Sequence, residues 1–257
     1  MNRFPTPWLQ PAQLLAVVIS FAIAGSCGAA VIVDFRGTNV TNPGPATATV
    51  TLSDLGNDPV TLSSPDQGGV SLSSAADDSF PENDGYTGQI DLVFQTGTVG
   101  AGGLANWDVA IDPNGNINGN PSGNGWGVGT GGNTNNQISG SELLLFTYDP
   151  DFSTTGRNLF TFAAARVGND VWEIWHRTGG TSGELIISGT GNVNQTPANT
   201  FVLTDGDMFA LVTTNAGGTN RLRTLTIDML VVPEPAAIAL ACLALASGLT
   251  LHRRRGT

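Results

Sequence analysis

The chain has 257 residues, a formal net charge of −11 and only two cysteines. Between residues 31 and 232, six arginines and no lysine stand against twenty acidic residues, a balance that repels phosphate backbones and anionic lipid and argues against nucleic-acid binding. Cys27 and Cys242 fall in apolar terminal segments, so the stretch between them holds no disulfide, thiolate zinc site or cysteine nucleophile.

The first thirty residues read as a secretory signal peptide. Arg3 supplies a thin positive start, Leu14 to Ala24 is an eleven-residue apolar core, and "SCGAA" offers small residues for cleavage around Ala29 or Ala30. Signal peptidase and the secretion machinery are the partners this implies. "AGSC" loosely resembles a lipobox, with Ala24 where Leu is usual, and leaves lipidation of Cys27 as the alternative.

Residues 31–232 are the passenger domain. Its apolar runs are short, β-branched and bounded by Gly, Asn, Asp or Pro, as strands require. "VIVDF" opens the domain at Val31, and "ATATVTLSDL" alternates from Ala46 to Leu55. Ile90, Leu92 and Phe94 share one face of the next long run. Leu143 to Phe146 is apolar on both faces, which predicts a central strand covered on both sides. "LFTFAAARV", "VWEIWHR", "ELIIS", "FVLTDGDMFALVTT" and "RLRTLTIDMLVV" complete ten to thirteen predicted strands, with no amphipathic helix. "VGND" before Val171 and "TGGTSGE" after Arg177 read as tight antiparallel connections. The fold class expected is all-β, an antiparallel β-sandwich of jelly-roll or lectin-like type. Pro113 to Gly140, in which 17 of 28 residues are Gly or Asn, is expected as a long surface excursion.

Catalytic constellations are thin. His176 is the one histidine of the passenger, sharing a strand face with Trp172 and Ile174, and no serine stands in a G-x-S-x-G elbow. Glu173, Glu184, Asp205 and Asp207 offer no evident acid–base pair. Glu173, Trp175 and Arg177 do alternate onto one strand face, where a carboxylate, an aromatic plate and a guanidinium would cradle a sugar ring; a solvent-facing ladder of charges is the plainer reading. Trp126, in the Gly/Asn stretch, is the tryptophan expected to reach solvent as a second stacking platform. Asp112, Asn114 and Asn116 form an oxygen-rich loop, the candidate calcium site, although Ile117 and Gly123 stand where an EF-hand needs Gly and Glu. "GWGVGTGG" lacks the lysine and following helix of a phosphate loop, so no nucleotide or other organic cofactor is expected.

The tail has three parts in order: Pro233-Glu234-Pro235, sixteen uncharged residues from Ala236 to Leu251, and Arg253, Arg254 and Arg255. As a helix the apolar run would span about 24 Å at ~1.5 Å per residue, slightly short of a ~30 Å hydrocarbon core. The arginines beside it favour the cytoplasmic side. This order resembles the PEP-CTERM sorting signal of exported bacterial proteins. "WGVGTGGNTNNQISGSELLLFTY", Trp126 to Tyr148, also resembles a passage of PEP-CTERM passenger domains, with "GSE" where "GE" is more usual. The resemblance implies recognition by a membrane-embedded exosortase, removal of residues 233–257, and export by Gram-negative bacteria that make extracellular polysaccharide. Unprocessed, the tail would act as a single transmembrane anchor. The expected role is structural or adhesive and non-catalytic, at the cell surface or in the extracellular matrix. The alternative is a carbohydrate-binding module, calcium-dependent or not, and the third reading is an enzyme acting on polysaccharide.

Overall fold

Alternation along the chain makes the strands, and the computed structural model shows how they stack. It describes residues 30–53, 55, 60–72, 88–120, 122–129, 137–151, 158–215 and 218–231. The expected signal peptide, the Cys27 alternative, the Pro-Glu-Pro motif, the expected transmembrane segment and the arginine cluster of the tail lie outside the described residues. Among those described, no helix is long and apolar enough to cross a membrane.

In chain order the strands are β1 (Ala30–Asp34), β2 (Thr47–Ser53), β3 (Thr61–Ser63), β4 (Ser71–Leu72), β5 (Gln89–Val99), β6 (Val109–Ile111), β7 (Asn116–Gly119), β8 (Trp126–Gly129), β9 (Glu142–Asp151), β10 (Asn158–Gly168), β11 (Val171–Thr178), β12 (Ser182–Thr190), β13 (Asn194–Gln195), β14 (Phe201–Val202), β15 (Met208–Thr213) and β16 (Arg221–Val231). One 3-10 turn, Leu104–Asn106, is the helical element among the described residues. Sheet A runs β13-β10-β16-β1-β4, with β14, β7 and β8 attached; sheet B runs β12-β11-β15-β9-β5-β2-β3, with β6 attached. The ladders are antiparallel, as expected.

The inner faces of the two sheets share one core. Val31, Val33, Phe160, Phe162, Leu225 and Ile227 come from sheet A; Val50, Leu52, Ile90, Leu92, Phe94, Trp172, Ile174 and Leu211 come from sheet B. At about 1.5–3 kcal/mol per fully buried large apolar side chain, this shared face is the main source of stability. Phe35, Phe94 and Trp126 meet edge-on with ring centroids 4.8 to 5.4 Å apart. Phe146, Phe162 and Phe209 extend the aromatic seam.

Strand β9 is central in its sheet and covered on both faces, as its apolar run predicts. Leu144 and Phe146 enter the main core, while Leu143 and Leu145 join a second cluster with Leu104, Ala210 and Val212 on the outer side.

Two expectations are corrected. The Gly/Asn stretch is not wholly a surface excursion: β7 and β8 form a hairpin inside it, attached to sheet A by the pairing of Trp126 with Leu222, and Ile117, Trp126 and Val128 are fully buried. Its glycines serve close approach. A Cβ on Gly119 would stand 2.2 Å from Val40 Cγ1, and Gly125, at φ 105°, would bring one 2.2 Å from the Leu222 carbonyl oxygen. The "VGND" connection also differs from its expected role, since β10 lies in sheet A and β11 in sheet B, so it crosses between layers. "TGGTSGE" does join the antiparallel pair β11–β12, with Gly179 and Gly180 at positive φ.

Candidate functional site

The outer face of sheet B carries an open depression of about 470 Å³ lined by Val99, Leu104, Gly140, Ser141, Glu173, Trp175, Val212 and Thr213. Four separate segments build it. Strand β11 supplies Glu173 and Trp175, β15 the floor at Val212 and Thr213, the turn before β9 Gly140 and Ser141, and the end of β5 with the 3-10 turn the apolar wall. That wall is held in place locally. Asp108 accepts the Gly102 amide at 2.7 Å, and the Gly100 amide donates to the Asp108 carbonyl at 2.8 Å, so residues 100–108 fold back over the sheet. Trp107, at φ 47°, ends this loop and packs on the same outer cluster as Trp175.

Alternation on β11 brings Glu173 and Trp175 together, as the sequence expects. The Trp175 indole Nε1–H donates to Glu173 Oε2 at 2.8 Å, and this bond fixes the ring edge. The half-buried indole then presents an apolar surface at the depression with a carboxylate beside it, a combination suited to a flat ring bearing hydroxyls. Arg177 lies farther along the strand, and its guanidinium donates to the Gly180 carbonyl at 2.8 and 3.1 Å, closing the β11–β12 turn.

Trp126 is not a platform. It is fully buried between Phe35 and Phe94, because the hairpin that carries it packs into the sandwich rather than projecting from it. Trp172 is likewise fully buried.

His176 points inward with Trp172 and Ile174. Its Nε2 lies 2.9 Å from Asp207 Oδ1, and a carboxylate only accepts, so Nε2 carries the hydrogen of this bond. Nδ1 is buried without a hydrogen-bond partner, and the ring sits 4.6 Å from Phe201 and 5.2 Å from Phe209 between centroids. Asp207 Oδ2 also accepts the Thr204 amide at 2.6 Å, which ties β15 to the turn before it. This is a packed structural pair.

In the candidate calcium loop, Asp112 Oδ1 accepts the Asn114 amide at 3.0 Å, a turn that closes through its own side chain. Asn114 is exposed and Asn116 pairs with Gly129 in the β7–β8 hairpin. Among the described residues, no three His, Cys, Asp or Glu side chains gather as a metal site.

The wall residues Val99, Leu104 and Ser141 escape sequence reasoning. The available signal is the apolar outer face of Leu143 and Leu145, which demands a cover without saying which loop provides it. In comparisons with known proteins, no family model, curated protein or solved structure matches this chain.

Proposed function

We propose that the chain is an exported cell-surface or extracellular-matrix protein with a structural, adhesive and non-catalytic role, built on a jelly-roll or lectin-like sandwich and sorted through its tail. The observation that carries this reading is the ordered tail of Pro233-Glu234-Pro235, apolar run and Arg253 to Arg255, following an apolar head with a small-residue cleavage site. An exosortase then acts on the tail, and signal peptidase on the head. Mass spectrometry of protein recovered from the native surface tests this reading. Species lacking Arg253 to Arg255 and beginning at Ala30 or Val31 are expected; full-length protein confined to the inner membrane would make the tail a plain anchor.

A second reading, carbohydrate binding, is favoured by the pairing of the Trp175 indole and the Glu173 carboxylate at the depression on sheet B. Titrating the full chain, in mild detergent, with the host's extracted exopolysaccharide should give saturable binding that Trp175→Ala weakens at least tenfold. A chelator arm tests whether calcium at Asp112, Asn114 and Asn116 takes part. Absence of saturable binding would leave the scaffold role alone.

A further inference from the structure

The opposite face of the sandwich gathers most of the domain's positive charge. Residues 31–232 hold six arginines; Arg166, Arg221 and Arg223 belong to the adjoining strands β10 and β16 of sheet A, and Arg36 lies two residues beyond β1. Register places them together. Ser71, Asp34, Thr224, Arg166 and Asn194 form a row across β4, β1, β16, β10 and β13. Arg166 lies between core residues Ala165 and Val167 in sequence, so alternation turns it outward, as it does Asp34 between Val33 and Phe35. The Phe35 amide donates to the Arg223 carbonyl at 2.9 Å, setting Arg36 next to Arg223.

These side chains are braced. Arg166 Nε donates to Asn192 Oδ1 at 2.7 Å, and Arg223 Nη2 donates to Asn169 Oδ1 at 3.0 Å. The Arg223 guanidinium lies against Gly168, where a Cβ would stand 2.5 Å from its Nε, and that Nε is buried with no hydrogen-bond partner. Asp34 is a carboxylate that meets the group, and it is engaged by Arg36 through Nε at 2.9 Å and Nη2. Burial, and then the nearby cations Arg166 and Arg36, hold Arg223 below the usual arginine range.

We propose that Arg166 and Arg223, presented on the outer face of sheet A beside the Asp34-bound Arg36, bind the carboxylates of an acidic polysaccharide. Guanidinium forks match planar carboxylates in bidentate geometry, and the exposed amides of Asn169 and Asn192 stand beside them for sugar hydroxyls. The overall acidity of residues 31–232 repels a densely charged phosphate backbone, whereas one carboxylate per sugar is a sparser array that a local patch can meet. This site lies on the other sheet from Trp175 and stands or falls independently of it.

The test uses the full chain in non-ionic detergent, with polygalacturonate, its methyl-esterified form and dextran sulfate as probes. Binding of polygalacturonate that weakens with added salt, with little binding of the ester, is expected. Arg166→Gln with Arg223→Gln should reduce it at least tenfold. Asn192→Asp places a carboxylate against Arg166 and should also weaken it about tenfold, with the thermal midpoint unchanged. Arg166→Lys with Arg223→Lys keeps the charge but loses the forks, and should retain only a minor part of the affinity. Equal binding of the esterified polymer, preference for dextran sulfate over polygalacturonate, or indifference of folded variants would overturn the proposal.

Discussion

Trp126 meets Phe35 and Phe94 edge-on at the end of the core, and its value lies in that packing. Trp126→Ala should cost about 3–5 kcal/mol of unfolding free energy, the usual range for emptying a buried aromatic site. Chemical denaturation measures this, and a loss below ~1 kcal/mol would show that the site is not packed. At Asp34, burial alone would raise the carboxyl's pKa, but the hydrogen bonds from the Arg36 side chain and backbone and the charges of Arg36 and Arg166 outweigh it, so the pKa falls below the ordinary carboxylate value. A depressed folded-state pKa gives stability that is present above the unfolded-state value, about 3.9 for Asp, and is lost as pH falls through the folded-state value. Asp34→Asn should therefore reduce stability at neutral pH, and the gap from the parent protein should close on acidification. Thermal melts from pH 7 to pH 2 check both parts, and a pH-independent gap would place the cost in packing rather than charge.

The β7–β8 hairpin depends on backbone approach. Gly125→Ala meets both a positive φ and the Leu222 carbonyl, and should destabilise by more than ~1 kcal/mol, in contrast to the gain expected from Gly→Ala at an unstrained site. A denaturation midpoint at or above that of the parent would refute the close approach. Alternation made the strand faces legible: Ile90, Leu92 and Phe94 are all core, and Leu143 to Phe146 is covered on both sides. The hairpin was not legible, because glycine and asparagine read as turn wherever local pattern is the guide. Only the partner surface shows that Gly119 leaves room for Val40, or that buried Asn118 accepts the Gly44 amide at 2.8 Å. The same limit applies to Asn220, which is fully buried and spans Asp170, Val171 and Thr213. At the candidate site, the strand period revealed Glu173 with Trp175. It could not show that Arg177 turns to its own hairpin, or that a loop some seventy residues earlier in the chain walls the depression.

At the scale of the molecule, the first and last described strands are neighbours. Ala30 pairs with Asp228 and Asp34 with Thr224, so β1 begins where β16 is ending, at one end of sheet A. Residues 1–29 and 232–257 therefore join the sandwich at the same end of sheet A. Strand β16 is also the spine of its sheet, pairing with β1, β10 and β8. Its pairing with β1 spans nearly the whole domain in sequence, a long-range closure that local contacts cannot replace. If the tail is processed as proposed, the cut must consequently spare this strand. A chain ending at Val232 should unfold cooperatively at the thermal midpoint of the full-length protein. One ending at Thr224 loses Leu225 and Ile227 from the core and the partners of Ala30 to Val33, and should show no cooperative transition. Circular dichroism melts and limited proteolysis of the two truncations separate the cases. Equal stability of both would remove β16 from its central place. Instability of the longer one would make the tail part of the fold, which removal by a sorting enzyme could not tolerate.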